Sequence, residues 1–227
     1  MARSSNHINV YLEIGAKRTF AGALDWPGWC RSGRDEDSAL QALLDYGPRY
    51  GHVPRTARLG FNAPADLSEL VVAERLKGNA TTDFGAPGLA PSSDAKPVDA
   101  VELQRLQKLL KACWRIFDKS IAAATGKALR TGPRGGGRDL EGIREHLLGS
   151  DVGYVTQLGW KLQPDDREDH QQIRQAILQA LTASANGEIP VKGPRGGIRW
   201  TARYFVRRTA WHILDHAWEL EDRVLSE

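Results

Sequence analysis

The sequence predicts an α+β protein in which a small α/β module precedes a four-helix bundle. Near the N-terminus, apolar and polar residues alternate in two short runs, NVYLEIG and RTFAGALDW, as is typical of strands. After about residue 97, four helical patterns follow one another. A segment rich in glycine, proline and alanine separates the two parts. We therefore predict a module at residues 1–77, a linker at 78–97 and a bundle at 98–227.

The N-terminal elements follow in the order strand, strand, helix, strand. After the two alternating runs, WPGWCRSGRDED is typical of a turn that leads into the helix SALQALLDYGPRY. A second β-like stretch, SELVVAERL, covers Ser68–Leu76. The predicted buried stripe of the helix consists of Ala39, Leu40, Leu43, Leu44 and Tyr46.

Four helices are predicted at residues 98–125, 138–160, 165–186 and 200–225. Each is bounded by glycine, proline or an Asn-Gly pair. Helices of about twenty residues joined by short connections are typical of a bundle.

Composition narrows the class of protein. The chain has 227 residues, 41% of them apolar and 26% charged, with a net charge of +3, which indicates a folded protein without a strong bias towards nucleic acid. The two cysteines lack the spacing of a zinc knuckle or a disulfide framework. The N-terminus lacks the apolar core of a signal peptide, and no apolar run is long enough to span a membrane. We therefore expect a cytoplasmic protein.

Two histidines lie four residues apart in the run RRTAWHILDHAWELED. His212 and His216 are one helical turn apart and therefore point the same way, as two ligands of one metal ion would. Catalytic zinc uses three protein ligands and an open position. Among the remaining histidines, His146 in the second helix of the bundle is the best third candidate. The alternative is that these are ordinary half-buried histidines.

Charged neighbours of these histidines have possible supporting roles. Glu145, Asp215 or Glu219 could orient an imidazole, and Arg208, one turn before His212, could meet an anionic group. For each of them the alternative is an ordinary solvated surface charge.

The pentapeptide GPRGG occurs twice, at residues 132–136 and 193–197, shortly before the second and fourth helices. Its glycines allow unusual backbone geometry, so that Arg134 and Arg195 are candidates for holding an anion. The alternative, which we favour, is a repeated loop that merely turns the chain.

The last helix has two apolar faces. A narrow stripe assigned to the bundle core consists of Val206, Ala210, Ile213, Ala217, Leu220 and Val224. On the other side, an aromatic stripe recurs every seven residues and consists of Tyr204, Trp211, Trp218 and Leu225. Soluble monomers rarely expose such a surface. We expect it to pack on the N-terminal module or to form a homodimer, unless an irregular bundle buries both faces.

The segment EHLLGSDV around His146 and WHILDHAWELED around His212 and His216 resemble the DinB-like metal-binding four-helix-bundle family over residues 98–225. The resemblance implies a divalent ion, most often zinc or nickel, on these three histidines, and often a homodimer. It also implies thiol-dependent transferase or isomerase activity with a low-molecular-weight thiol such as mycothiol or bacillithiol. Activation of water, as in a hydrolase, stays open.

The run FAGALDWPGWCRSGRDEDSALQALLDY resembles a HicB-like antitoxin domain over residues 9–50. The match rests on Phe20, Pro27, Gly28, Cys30, Gly33 and Ala39. It implies a small module that binds partners.

Together these observations favour a metal-dependent enzyme that acts on a small molecule. The alternative is a non-enzymatic protein, in which the bundle mediates dimerisation or partner binding and the histidines are structural. The sequence does not favour binding to nucleic acid, because acidic residues within two turns balance Arg199, Arg203, Arg207 and Arg208.

Overall fold

The structure is a computed structural model, which describes residues 7–131, 137–167 and 169–225. Within these ranges the chain forms one four-stranded sheet and eight α-helices. The predicted α+β class is therefore confirmed.

The sheet lies in the N-terminal part and has the strand order β3-β2-β1-β4. Strands β1 (Ile8–Ile14), β2 (Thr19–Ala23) and β3 (Cys30–Gly33) form an antiparallel meander. Strand β4 (Leu70–Lys77) pairs parallel to β1 on its other side. The prediction for the segment that contains β3 was wrong, because we assigned those residues to a turn. Only four residues long, β3 is too short to show a clear alternation.

Three short helices lie between β3 and β4. Helix α1 (Glu36–Asp45) begins at a capping box between Asp35 and Ser38 and buries Ala39 and Leu43 against the sheet. Helices α2 (Gly47–Tyr50) and α3 (His52–Ala57) follow it.

Residues 78–97, the predicted linker, contain helix α4 (Ala80–Phe84) and a 3-10 turn at Ser92–Ala95. The Thr82 hydroxyl and the backbone NH groups of Gly88 and Leu89 donate to the buried Glu13 carboxylate on β1. This segment is therefore attached to the protein interior by polar groups, which the apolar pattern of the sequence does not reveal.

The C-terminal part contains the four long helices α5 (Ala100–Ala124), α6 (Leu140–Leu158), α7 (His170–Ala185) and α8 (Ala202–Arg223). Each begins at a side-chain cap that accepts a hydrogen bond from the first turn, namely Asp99, Asp139, Asp169 and Thr201. Helices α5, α6 and α8 begin two residues after the predicted positions, whereas α7 begins five residues later than predicted, after its cap at Asp169.

Helix α8 is central to the structure. It packs along α5 and α6 on one side and against the N-terminal residues on the other. Helices α5 and α8 run parallel, since Glu102 contacts Arg203 near their beginnings and Ser120 contacts Glu221 near their ends. A single cluster of buried apolar side chains includes residues from the sheet, α1 and all four long helices.

The three aromatic residues of the α8 stripe lie against residues that precede the bundle, which was one of the predicted arrangements, whereas Leu225 follows the end of α8 and is exposed. The Trp211 ring meets Phe20 edge to face, and Trp218 contacts Tyr46. The Tyr204 hydroxyl donates to the carbonyl of Gly88. Because all three rings are buried by the chain itself, nothing in the structure supports a homodimer through this stripe.

None of the described helices combines the length and the apolar character that crossing a membrane requires.

Candidate metal centre

His146, His212 and His216 form one cluster between α6 and α8. Their potential ligand atoms all lie within 4.8 Å of one another, and 3.1 Å separates Nε2 of His146 from Nε2 of His212. Two nitrogens bound tetrahedrally to one zinc ion, at the usual Zn–N length, are about 3.3 Å apart. The closest pair thus has the spacing of bound ligands, and the three histidines lie close enough to hold one ion.

The helical geometry explains how these residues meet. On α8 the spacing of four places His212 and His216 on one face. Helix α6 runs antiparallel to α8: Gln157, near the end of α6, accepts a hydrogen bond from Trp200 just before α8, whereas His146 lies beside the second half of α8. The imidazole rings stand nearly perpendicular to one another, with centroids 4.8 to 5.0 Å apart.

Burial and nearby charges keep the imidazoles of His146 and His212 neutral. Burial is the largest cause that lowers the pKa of His212 to about 2 and that of His146 to about 4, and the neighbouring His216 contributes to both shifts. A neutral imidazole offers a nitrogen lone pair, which is the form that binds a metal. The Nδ1 of His212 has no hydrogen-bond partner among the described residues, so this ring is oriented by its contacts with Tyr154 and Trp211. The donor set therefore fits a divalent ion such as zinc or nickel.

Glu219 supports the third histidine. Its Oε2 lies 2.8 Å from Nδ1 of His216, which leaves Nε2 of that ring free. The hydrogen bond with His216 lowers the pKa of Glu219 against the opposing effect of burial. Arg223 donates to the other carboxylate oxygen at 2.5 Å and to the carbonyls of Arg130 and Arg138. An ionised carboxylate thus orients His216, as metal-binding histidines usually require.

Two other acidic candidates do not contact the histidines. Asp215 forms an ion pair with Arg31 of β3 at 3.2 Å. Glu145 is exposed and forms no hydrogen bond or ion pair with any described residue. Of the three candidates, only Glu219 is in position to orient an imidazole.

Of the two GPRGG arginines, only Arg195 lies within the described residues. Arg134 lies outside the described residues, with the first copy of the motif. Arg195 is exposed at the tip of a tight turn closed by a bridge between Lys192 and Ile198. This turn borders the C-terminal end of α6 at Gly159, about 20 Å along the helix from His146.

Arg208, in contrast, lies close to the cluster. Its guanidinium carbon is 5.3 Å from the centre of the Tyr154 ring and 4.6 Å from that of Trp211. Both rings also contact the His212 imidazole.

Several residues of this site were not predicted from the sequence. Arg223 lies four residues after Glu219, a spacing that indicates an ion pair on a helix and could have revealed it. Tyr154 lies two turns after His146 on the same face of α6, which was also detectable. Arg138 precedes the N-cap of α6, and no sequence pattern connects it to the histidines.

No protein-family model, no curated protein and no solved structure matches this chain. Its function is therefore inferred from the geometry of the site, and the DinB-like and HicB-like resemblances stay predictions.

Proposed function

We propose that this protein is a divalent-metal-dependent enzyme that resembles the DinB-like family and acts on a small molecule through a bound thiol or water. The observation that carries the proposal is the convergence of three imidazoles from two helices, two of which have pKa values far below neutral pH. Three protein ligands leave a coordination position free, which is the pattern of catalytic sites, whereas structural zinc sites use four.

A zinc or nickel ion held by the three histidines would lower the pKa of a bound thiol or water and would thus supply a nucleophile at neutral pH. The protein would contribute orientation and access. Glu219 fixes the ring of His216, while burial of His212, 7% exposed, keeps its imidazole neutral. The partly exposed His146 marks the side from which a substrate would enter.

If the nucleophile is a thiol, it has to come from a separate molecule. Both cysteines of the chain are buried, and burial raises the pKa of Cys30 to about 12. Neither can present a thiolate to the histidines. This agrees with the low-molecular-weight thiol that the DinB-like resemblance implies.

Cobalt substitution tests the proposal, because Co²⁺ replaces zinc and reports its ligands by absorption. The cobalt-loaded protein would be titrated with 2-mercaptoethanol. We expect a thiolate-to-cobalt charge-transfer band in the wild type and in His170→Ala, which removes a histidine of α7 outside the cluster. We expect no band in His212→Ala.

Two results would count against an enzyme. Failure of the wild type to take up cobalt would remove the metal site altogether. A cobalt spectrum that responds neither to the thiol nor to azide would show a closed coordination sphere, and the cluster would then be structural.

A further inference from the structure

Arg208 is a cation without a counter-ion in the described part of the chain. Its side chain forms no hydrogen bond or ion pair with any described residue, and its Nη1 is buried without a partner. The adjacent Arg207, by comparison, forms a two-fold ion pair with Asp94 and donates to two backbone carbonyls. A buried N–H group without an acceptor costs free energy, so an acceptor that arrives from outside the chain would be bound favourably.

Aromatic rings hold this guanidinium in place. It lies over the rings of Tyr154 and Trp211, at distances typical of cation–π contacts. Trp211 is fixed in turn by Phe20, and Tyr154 by Trp200. The ring faces stabilise the cation but offer no hydrogen-bond acceptor in its plane.

The rings of Tyr154 and Trp211 contact both the Arg208 guanidinium and the His212 imidazole. Arg208 precedes His212 by four residues, so both side chains lie on one face of α8, about 6 Å apart along its axis. The Tyr154 ring contacts both side chains, with its centre 5.3 Å from the guanidinium carbon of Arg208 and 5.7 Å from the centre of the His212 ring. A molecule bound by Arg208 would therefore have its other end beside the histidines.

We propose that Arg208 binds the carboxylate of the small molecule on which the histidine site acts; the proposal rests on the proposed function of that site. One unpaired guanidinium balances one negative charge, and its planar edge matches the two oxygens of a carboxylate. A phosphate dianion would keep an unbalanced charge in a partly buried position, which is costly.

The test is calorimetric titration of the full-length protein, free of zinc and loaded with zinc, with benzoate and separately with inorganic phosphate. We expect benzoate to bind the wild type more tightly than phosphate. Arg208→Gln should weaken benzoate binding about tenfold or more, because it removes a charged hydrogen-bond donor. Arg208→Lys keeps the charge but loses the two-point contact, and should have intermediate affinity.

Arg195→Gln is the matched control, since it removes the same charge from an exposed loop tip. It should bind benzoate like the wild type. Equal benzoate affinity in the wild type and Arg208→Gln would overturn the proposal, and so would equal losses in Arg208→Gln and Arg195→Gln. Should Arg208→Gln fail to fold, wild-type affinity in Arg208→Lys would overturn it.

The zinc content of the same samples separates the two proposals. A protein that binds zinc on the histidines but shows no Arg208-dependent benzoate binding contradicts this inference alone. Arg208-dependent benzoate binding in a protein that takes up no metal contradicts the metal-dependent function and leaves the carboxylate site standing.

Discussion

Burial determines the chemistry of the two cysteines. It raises the pKa of Cys30 to about 12, with a further contribution from the negative charge of Glu13, and it also raises the pKa of Cys113. Both thiols are therefore protonated at neutral pH and enclosed by the protein, and a protonated thiol is a poor nucleophile.

We predict that the native protein does not react with Ellman's reagent, whereas the protein in guanidinium chloride releases two equivalents of chromophore, one for each cysteine. Cys30→Ser is the control and should release half as much after denaturation. Rapid reaction of a thiol in the native state would contradict the enclosed positions.

Burial raises the pKa of Asp151 on α6 well above the usual value for an aspartate. Its Oδ1 has no partner among the described residues, and burial raises its pKa to about 7 against the opposing charge of Arg174. The pKa of Asp151 is thus near 4 in the unfolded state and about 7 in the folded state. At pH values between these two, the folded state keeps a proton on Asp151 that the unfolded state has lost. Stability therefore falls as the pH rises through this window.

Asp151→Asn removes this titration. At pH 8 the variant should be more stable than the wild type by roughly 2 to 4 kcal/mol, and at pH 4 the two should be nearly equal. Urea unfolding at both pH values measures the difference, with the exposed Asp165→Asn as control. The same difference at pH 4 and pH 8 would show that the Asp151 carboxyl does not titrate in this range.

At the scale of elements, one buried ion pair connects three parts of the fold. Arg207 of α8 contacts Asp94 through two hydrogen bonds of 2.7 Å and donates to the carbonyls of Ala23 and Leu24 at the end of β2. Asp94 belongs to the 3-10 turn at Ser92–Ala95. The pair therefore holds this turn, the sheet and the last helix together.

Asp94→Ala should destabilise the protein by about 3 to 5 kcal/mol, because it leaves a buried guanidinium without its counter-charge. The double variant Asp94→Leu with Arg207→Met should lose much less, since apolar side chains can fill the site. Urea unfolding of the wild type, the single variants Asp94→Leu and Arg207→Met, and the double variant measures the coupling. Additive losses would show that the two side chains act independently.

The elements differ in how well the sequence predicts them. The long helices are predicted because their apolar periodicity and their caps, such as Asp99 and Thr201, agree. Helices α3 and α4 are missed because each has six residues or fewer, too few for a period to show, whereas α2 lies within the helix predicted to end at Tyr50. The polar attachment of residues 78–97 is missed because its partners, Glu13 and Arg207, are distant in sequence.

The parts of the candidate site that lie on one helix can be predicted from the sequence, whereas contacts between helices cannot. The pair His212 and His216 follows from helix geometry alone. Recognising His146 requires a choice among six histidines, and its contact with α8 depends on the packing of two helices. Arg208 lies beside the cluster as suggested, but its lack of a counter-ion appears only in the folded chain.

At the scale of the whole molecule, α8 packs against both the N-terminal and the C-terminal part of the chain. Its aromatic stripe lies against Phe20 and Tyr46 of the N-terminal part, and its other side packs on α5 and α6. The boundary at residue 98 would therefore separate surfaces that are buried in each other.

We predict that a fragment of residues 98–227 self-associates, because removal of the N-terminal part exposes Trp211 and Trp218. Size-exclusion chromatography with light scattering measures its mass, with the full-length protein as control. A monomeric fragment that retains the stability and metal affinity of the whole protein would show instead that residues 98–227 form an independent domain.

The measurement that tests the central claim most directly is the metal content of the purified protein by elemental mass spectrometry. It compares the wild type with His146→Ala, His212→Ala, His216→Ala and the control His170→Ala. We expect about one zinc or nickel ion per chain in the wild type and the control, and a large loss in the three cluster variants at unchanged helical content. A wild type that contains no metal and takes up neither zinc nor nickel would contradict the metal centre, as would full metal content in the three variants.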